Sequence, residues 1–70
     1  MVPFPARLKE SRRKKNLKQK DVAEHLQIAA HSYQNYESGQ RRPDYETLVA
    51  LADYLGVTTD YLLGRTGQPE

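Results

Sequence analysis

The 70-residue chain has no cysteine and no long run of apolar residues. Without cysteine, neither disulfides nor thiolate–metal sites can stabilise it. No segment approaches the roughly 20 apolar residues that a membrane span requires, and the first residues lack the apolar core of a signal peptide. We therefore expect one small cytoplasmic domain over residues 1–70, with no membrane segment and with a stability that depends on helix packing.

Patterns typical of catalysis are also missing. The sequence shows no nucleophile–base pair, no carboxylate pair and no glycine-rich phosphate loop. The two histidines, His25 and His31, fall in different predicted helices and have no carboxylate or thiolate partner at metal-ligand spacing. We expect neither an enzyme nor a protein that holds a metal or a cofactor.

The net charge is only +2, but the charges are unevenly distributed. Eight of the eleven basic residues fall in one segment: Arg7, Lys9, Arg12, Arg13, Lys14, Lys15, Lys18 and Lys20. The segment 43–64 has four acidic residues and no Lys or Arg. A basic patch on a folded domain is typical of a protein that binds a polyanion. A charge run alone is equally compatible with a solvated helix face.

The segment from Leu17 to Gly39 predicts two short helices joined by a tight turn. The first helix is expected from about Lys18 to Leu26, because its apolar residues form one stripe. The second is expected from about Ala30 to Tyr36, with Tyr33 and Tyr36 facing inward. The opposite face would carry Ala30, His31, Gln34 and Asn35. Two such helices form the unit that places a second helix in the DNA major groove.

Three further helices are predicted around this pair, and no strand is. The first covers about Ala6–Lys15 and ends at Asn16, after a non-helical arm over residues 1–5 where Pro3 and Pro5 disfavour helix. The fourth begins after a capping Asp44 and ends at Gly56. Its expected inward face is Tyr45, Leu48, Leu51, Ala52 and Leu55. The fifth, capped by Thr58 or Thr59, runs to about Leu63, and residues 64–70 are expected to be a frayed tail or the start of a linker.

Spaced residues over about four fifths of the chain resemble the Cro/CI-type (XRE-type) helix-turn-helix family, which includes the lambdoid phage repressors. The residues that carry the resemblance are Leu17-x-Gln19, Val22-Ala23, Leu26-x-Ile28, Tyr33-x-x-Tyr36-Glu37-x-Gly39, Pro43, Glu46-Thr47-Leu48, Leu55-Gly56-Val57 and Asp60-Tyr61-Leu62-Leu63-Gly64. The resemblance implies a compact all-α, five-helix, lambda-repressor-like bundle that binds double-stranded DNA as a homodimer. Its core would span residues 7–63, with the helix-turn-helix motif at about 18–37.

The resemblance also implies roles for individual residues. Those expected to contact base edges are Ala30, His31, Gln34 and Asn35. Those expected to contact phosphates are Lys18, Gln19, Ser32, Ser38, Gln40, Arg41 and Arg42, and Gln19 would also brace the second helix of the motif. The residue types suit these roles, because Asn and Gln pair with adenine and Arg and Lys bind phosphate.

Simpler interpretations stay open for several of these residues. His31 and Asn35 could be ordinary surface residues, and Gln34 could point past the bases. Ala30 could be present only because it favours helix. Tyr33 and Tyr36 are expected in the core, with their hydroxyl groups reaching partners at its rim.

Arg12 and Glu37 match a pair that joins the first and third helices in the family. We expect the two side chains to form a partly buried ion pair. Glu37→Gln should then lower the melting temperature by several degrees.

Four residues depart from the family pattern: Ser11, Lys18, Gln27 and Ala29. Lys18 and Ala29 occupy N-cap positions where the family usually has Ser or Thr. Gln27 lies in a turn where Gly is usual, and Ser11 replaces an apolar core residue. We hypothesise that the motif is less rigid when free and tightens on DNA.

Two functions compete. The first is a sequence-specific transcriptional repressor that binds an inverted repeat as a homodimer, with half-sites roughly 34 Å apart. The second is an antitoxin or other protein-interaction module that uses Tyr54, Val49 and Leu63 as an apolar patch. Those residues could equally form the homodimer contact. A protein partner, or a C-terminal domain beyond this segment, is also compatible with the sequence.

Overall fold

Five α-helices make up the body of the computed structural model, which describes residues 2–69. They are α1 (Phe4–Lys14), α2 (Gln19–Leu26), α3 (Ala30–Ser38), α4 (Tyr45–Leu55) and α5 (Thr59–Leu62). No strand occurs in that range. The expected all-α, five-helix fold is therefore confirmed, and α2 and α3 are the two helices of the predicted motif.

Helix α1 begins two residues earlier than the sequence predicted. Phe4 is helical, so the expectation of a non-helical arm up to Pro5 was wrong. The first N–H groups of a helix have no partner within it, so the missing N–H of Pro5 costs no hydrogen bond there. Phe4 is buried in the core, and this burial favours the early start. Met1 lies outside the described residues.

Left-handed residues end the first two helices. Asn16 (φ 57°) follows the end of α1, where the sequence predicted that the helix stops, and Gln27 (φ 58°) follows α2 in the turn where Gly is usual. After Gln27, the N–H of Ile28 donates to the carbonyl of Ala23 at 3.0 Å, which closes the turn between α2 and α3.

The helix caps of α4 and α5 also match the prediction. Asp44 accepts a hydrogen bond from the N–H of Thr47 at 2.8 Å. Thr58 accepts one from the N–H of Tyr61 at 3.0 Å. Each bond satisfies an N–H group that the first turn of the helix leaves without a partner.

The core is formed by residues from all five helices. Its buried apolar members are Phe4, Leu8, Val22, Ala23, Tyr33, Leu51, Ala52, Leu55, Tyr61 and Leu62. Ser11 is buried with them, as expected. Tyr45 was expected on the inward face of α4 but is 81% exposed, so that prediction was wrong. It is the first residue of α4, whose buried residues, Leu51, Ala52 and Leu55, all lie in the later turns.

The C-terminal segment returns to the body of the domain. The guanidinium group of Arg7 donates to the carbonyl oxygens of Tyr61 (2.7 Å) and Thr66. It also lies 4.4 Å from the centre of the Tyr61 ring. The N–H of Thr58 donates to the carbonyl of Pro69 at 2.8 Å. These contacts order the described part of a segment for which the sequence predicted fraying or a linker.

Within residues 2–69, none of the helices has the length and apolar composition needed to cross a membrane.

Candidate nucleic-acid interface

Helix α3 is anchored in the domain by its two tyrosines. Tyr33 has no exposed surface, and Tyr36 is partly buried against the core. Their rings meet edge to face, with centres 6.5 Å apart. Both tyrosines therefore occupy the inward face of α3, as the sequence predicted, and the opposite face is left toward solvent.

Glu37 fixes the last turn of α3 to both α1 and α2. Its carboxylate accepts hydrogen bonds from Arg12 Nε (2.6 Å) and Nη2 (3.3 Å) and from Gln19 Nε2 (3.1 Å). The hydroxyl of Tyr33 donates to the same carboxylate. The side chains of Arg12 and Glu37 are 12% and 4% exposed, so the predicted partly buried ion pair is confirmed.

The protonation of this cluster follows from its contacts. Burial by itself would raise the pKa of Glu37, but the hydrogen bonds from Arg12, Tyr33 and Gln19 outweigh it and hold that pKa below the ordinary range. The hydrogen bond to Glu37 raises the pKa of Arg12. Burial, together with the bond to Glu37, raises the pKa of Tyr33 well above its usual value. The carboxylate is thus ionised and the tyrosine neutral at pH 7.

The outward surface of α3 holds the four residues expected to contact bases, and we call them the reading face: Ala30, His31, Gln34 and Asn35. The first three are exposed and Asn35 is half-buried. Asn35 Nδ2 lies 3.4 Å from His31 Nε2, one helical turn away. The structure therefore brings together the predicted base-contacting residues. The contacts themselves stay predictions.

The residues expected to contact phosphates flank this face. Lys18 is exposed at the start of α2, and its N–H donates to the carboxylate of Asp21 at 2.8 Å. Ser32 is half-buried on α3. Gln19 is half-buried, and its bond to Glu37 gives it the predicted bracing contact with α3. A phosphate contact by any of the three stays a prediction.

The loop after α3 is tied to the reading face through the backbone of Asn35. The carbonyl of Asn35 accepts hydrogen bonds from the N–H groups of Gln40 (3.0 Å) and Arg41 (3.2 Å). The hydroxyl of Ser38 donates to the same carbonyl at 3.2 Å. Gln40, Arg41 and Arg42 are all exposed, so their side chains are available to a ligand on this side of the domain.

Lys9 adds a cation that the sequence analysis did not assign to the site. It shares an open groove of about 310 Å³ with Gln19, Gln34, Glu37 and Ser38. Lys9 precedes Arg12 by three residues and so lies on the same side of α1. The i, i+3 spacing from the arginine that binds Glu37 was the signal that could have found it.

Two of the four departures from the family pattern bear on the rigidity of the motif. Ala29 is the N-cap of α3 and makes no side-chain hydrogen bond. Lys18, the N-cap of α2, makes none either, although Asp21 bonds to its backbone. The hypothesis that the motif tightens on DNA stays a prediction.

The fold and this surface define a helix-turn-helix domain. A family model described as "Helix-turn-helix domain" matches residues 6–68. The chain belongs to the Cro/CI-type (XRE-type) helix-turn-helix family. That assignment confirms the resemblance inferred from the sequence.

Several curated proteins are similar to the chain. The "HTH-type transcriptional regulator ImmR" of Bacillus subtilis (strain 168) is 48% identical over 59 residues, which are 84% of this chain and 46% of that protein. The "HTH-type transcriptional regulator AnsR" of the same organism is 48% identical over 64 residues, 91% of this chain and 55% of that protein. The "Cryptic phage CTXphi transcriptional repressor RstR" of Vibrio cholerae serotype O1 is 39% identical over 64 residues, 91% of this chain and 57% of that protein. The chain thus spans about half the length of these curated relatives.

Proposed function

We propose that the chain is the DNA-binding domain of a sequence-specific transcriptional regulator. The observation that carries this proposal is the division of α3 into two faces. One face is fixed to α1 and α2 through Tyr33 and Glu37. The other presents Ala30, His31, Gln34 and Asn35 to solvent. A rigid helix with a polar outer face suits the major groove.

In this proposal, one set of residues determines the preferred DNA sequence and another set supplies affinity. On the reading face, Asn35 can pair with the N6 and N7 atoms of adenine, and the methyl group of Ala30 can pack on a thymine methyl. Lys18, Arg41 and Arg42 supply charge to phosphates, which gives affinity without sequence. Arg12 is not part of this charge, because Glu37 neutralises it.

We propose that the regulator acts as a homodimer on an inverted repeat, with half-sites about 34 Å apart. Tyr45 (81% exposed) and Val49 (48% exposed) lie one turn apart on α4 and form an unpartnered apolar surface. A two-fold contact would pack this surface of one copy against the same surface of the other. Val49 was among the residues expected there from the sequence.

Selection from random duplexes tests this proposal. The chain is incubated with a pool of duplexes at two salt concentrations, and the bound DNA is sequenced. A palindromic motif with half-sites one helical turn apart supports a sequence-reading dimer. A weak, motif-free signal that disappears at the higher salt shows phosphate contacts alone and contradicts sequence-specific binding. Repression is tested separately with a reporter gene placed behind the selected site, and the phage relative named as a repressor supports that sign of regulation.

The alternative, a protein-interaction module, rests on one observation. A groove of about 580 Å³ has apolar walls that include Phe4, Pro43, Leu48 and Leu63, and Arg41 and Arg42 line it as well. Such a groove could hold an apolar segment of another protein. Leu63→Gln, a variant checked for folding, adds no charge beside the two arginines, and unchanged affinity of this variant for selected DNA would separate the apolar walls from DNA binding.

A further inference from the structure

His31 and Asn35 of the reading face contact each other as well as solvent. They are four residues apart on α3, so their side chains lie on the same side of the helix. Asn35 Nδ2 lies 3.4 Å from His31 Nε2. An amide nitrogen can only donate a hydrogen bond, so Nε2 must accept this one. The contact therefore requires a neutral His31 that carries its proton on Nδ1.

We propose that His31 is a positioning residue for Asn35: it sets the orientation of the Asn35 amide and thereby the order of acceptor and donor that Asn35 offers to a base. This inference rests on the proposed function, since it concerns how the reading face selects a base. The expected base is adenine, because the edge of the amide that does not face His31 has one acceptor beside one donor.

The geometry of a primary amide explains the effect. Nδ2 carries two hydrogens, and only the one cis to Oδ1 lies on the same edge as that oxygen. This edge, one acceptor beside one donor, matches N6–H and N7 of adenine. When the other hydrogen bonds to His31 Nε2, the adenine-binding edge stays free and faces away from the ring.

The opposite orientation of the amide changes this match. If the Asn35 amide is rotated by 180°, Oδ1 faces His31 Nε2, and two acceptors meet unless the histidine moves its proton to Nε2. The outward edge of the amide then still carries one acceptor beside one donor but in the reverse order, so it no longer matches N6–H and N7 of an adenine held in the same place. The tautomer of His31 and the match of Asn35 to adenine are therefore two aspects of one arrangement.

The tautomer can be measured in the free protein. Two-bond and three-bond ¹H–¹⁵N correlations of the imidazole rings identify which nitrogen carries the proton. In the neutral state we expect His31 on Nδ1–H, although an unconstrained histidine favours Nε2–H. In Asn35→Ala, His31 should return to the ordinary mixture. A predominant Nε2–H tautomer of His31 in the unsubstituted chain would overturn the proposal, whether or not the chain binds DNA.

Base preference gives the second readout. Asn35→Ala first locates the base pair that Asn35 contacts: it is the position of the selected motif at which this variant no longer prefers one base. Duplexes that differ only at that pair are then compared in competition. We expect His31→Ala to reduce the preference for adenine there by the value of one hydrogen bond, about 3- to 10-fold. His31→Gln should restore it, because the side-chain carbonyl of the introduced glutamine can accept from Asn35 across one turn.

A matched substitution controls for the loss of a histidine. His25 is the other histidine of the chain and lies on α2, stacked on Tyr54 with ring centres 3.8 Å apart. His25→Ala should leave the adenine preference unchanged. If His31→Ala changes a different base pair and spares that of Asn35, the two residues act independently and the proposal fails. If the unsubstituted chain selects no motif, the proposed function fails instead, and the tautomer measurement still tests the pair.

Discussion

At the scale of single residues, Glu37 organises the domain. Four donor atoms from Arg12, Gln19 and Tyr33 converge on its carboxylate. These donors come from α1, α2 and α3 itself, so one side chain fixes the relative positions of three helices. The reading face depends on this arrangement, because α3 cannot tilt without breaking bonds to both neighbouring helices.

Glu37→Gln should destabilise the fold. Glutamine keeps the shape of the side chain but removes the charge, so the largely buried guanidinium of Arg12 loses its counter-ion. We expect a loss of about 3 kcal/mol in the free energy of unfolding, which corresponds to a fall of roughly 12–24 °C in melting temperature for a domain of this size. Thermal unfolding followed by circular dichroism measures it.

Lys14→Gln is the matched control for that prediction. Lys14 pairs with Glu10 at 3.7 Å, but both side chains are more than half exposed. An exposed pair contributes about 0–1 kcal/mol. Equal changes in melting temperature for the two variants would contradict a structural role for the Arg12–Glu37 pair.

The same carboxylate predicts how stability responds to acid. The pKa of Glu37 is lower in the folded chain than in the unfolded one. Its contribution to the free energy of unfolding is therefore complete above the pKa of the unfolded chain, about 4.3, and is lost as the pH falls through the pKa of the folded chain. In urea titrations between pH 6 and pH 3, stability should fall toward acid in the unsubstituted chain and fall less steeply in Glu37→Gln. Parallel curves would show that other groups dominate acid unfolding.

At the scale of helices and turns, Gln27 is the strained point of the motif. It adopts φ 58° between α2 and α3, a conformation that costs an ordinary L-residue about 1–2 kcal/mol. Gln27→Gly relieves this strain and loses part of the gain to the greater freedom of glycine in the unfolded chain. We expect a net stabilisation of about 0.5–1 kcal/mol in urea denaturation.

Asn16 provides a comparison for Gln27 within the same molecule. It is also exposed and has nearly the same angle, φ 57°. Asparagine tolerates the left-handed region better than glutamine does. Asn16→Gly should therefore stabilise the chain less than Gln27→Gly, and the reverse order would show that backbone strain does not explain either change.

Helix boundaries could be predicted well where their signals are local. The caps at Asp44 and Thr58 and the end of α2 at Gln27 depend on a few neighbouring residues. The start of α1 and the exposure of Tyr45 were predicted wrongly, because both depend on packing against distant parts of the chain. Phe4 enters the core despite Pro5, whereas Tyr45 extends past it, although both continue an apolar pattern.

The candidate site was predictable to a similar degree. The i, i+3 and i+4 spacing placed the reading face on one side of α3, and the family resemblance led to the Arg12–Glu37 pair. The contact between His31 and Asn35 could not be predicted, since it depends on two side-chain rotamers. The clustering of Lys9 with Gln19 and Ser38 depends on how α1 packs against the motif.

At the scale of the whole molecule, the charges divide into two regions. The basic residues concentrate before Asp21 and in the loop after α3, while α4 and α5 carry acidic residues. The net charge of +2 conceals this separation. The strength of binding to a polyanion should therefore depend on the salt concentration.

The salt dependence of DNA binding tests the two loop arginines. Each phosphate contact contributes about −0.9 to the slope of log K against log salt. Arg41→Gln and Arg42→Gln should each make the slope less negative by about 0.9 for every bound protomer, with little change in sequence preference.

Arg65 is exposed after α5 and was assigned no phosphate contact, so Arg65→Gln is the matched control and should leave the slope unchanged. Fluorescence anisotropy over a series of salt concentrations measures the slopes. Equal slopes for all three variants and the unsubstituted chain would place the DNA backbone elsewhere on the domain.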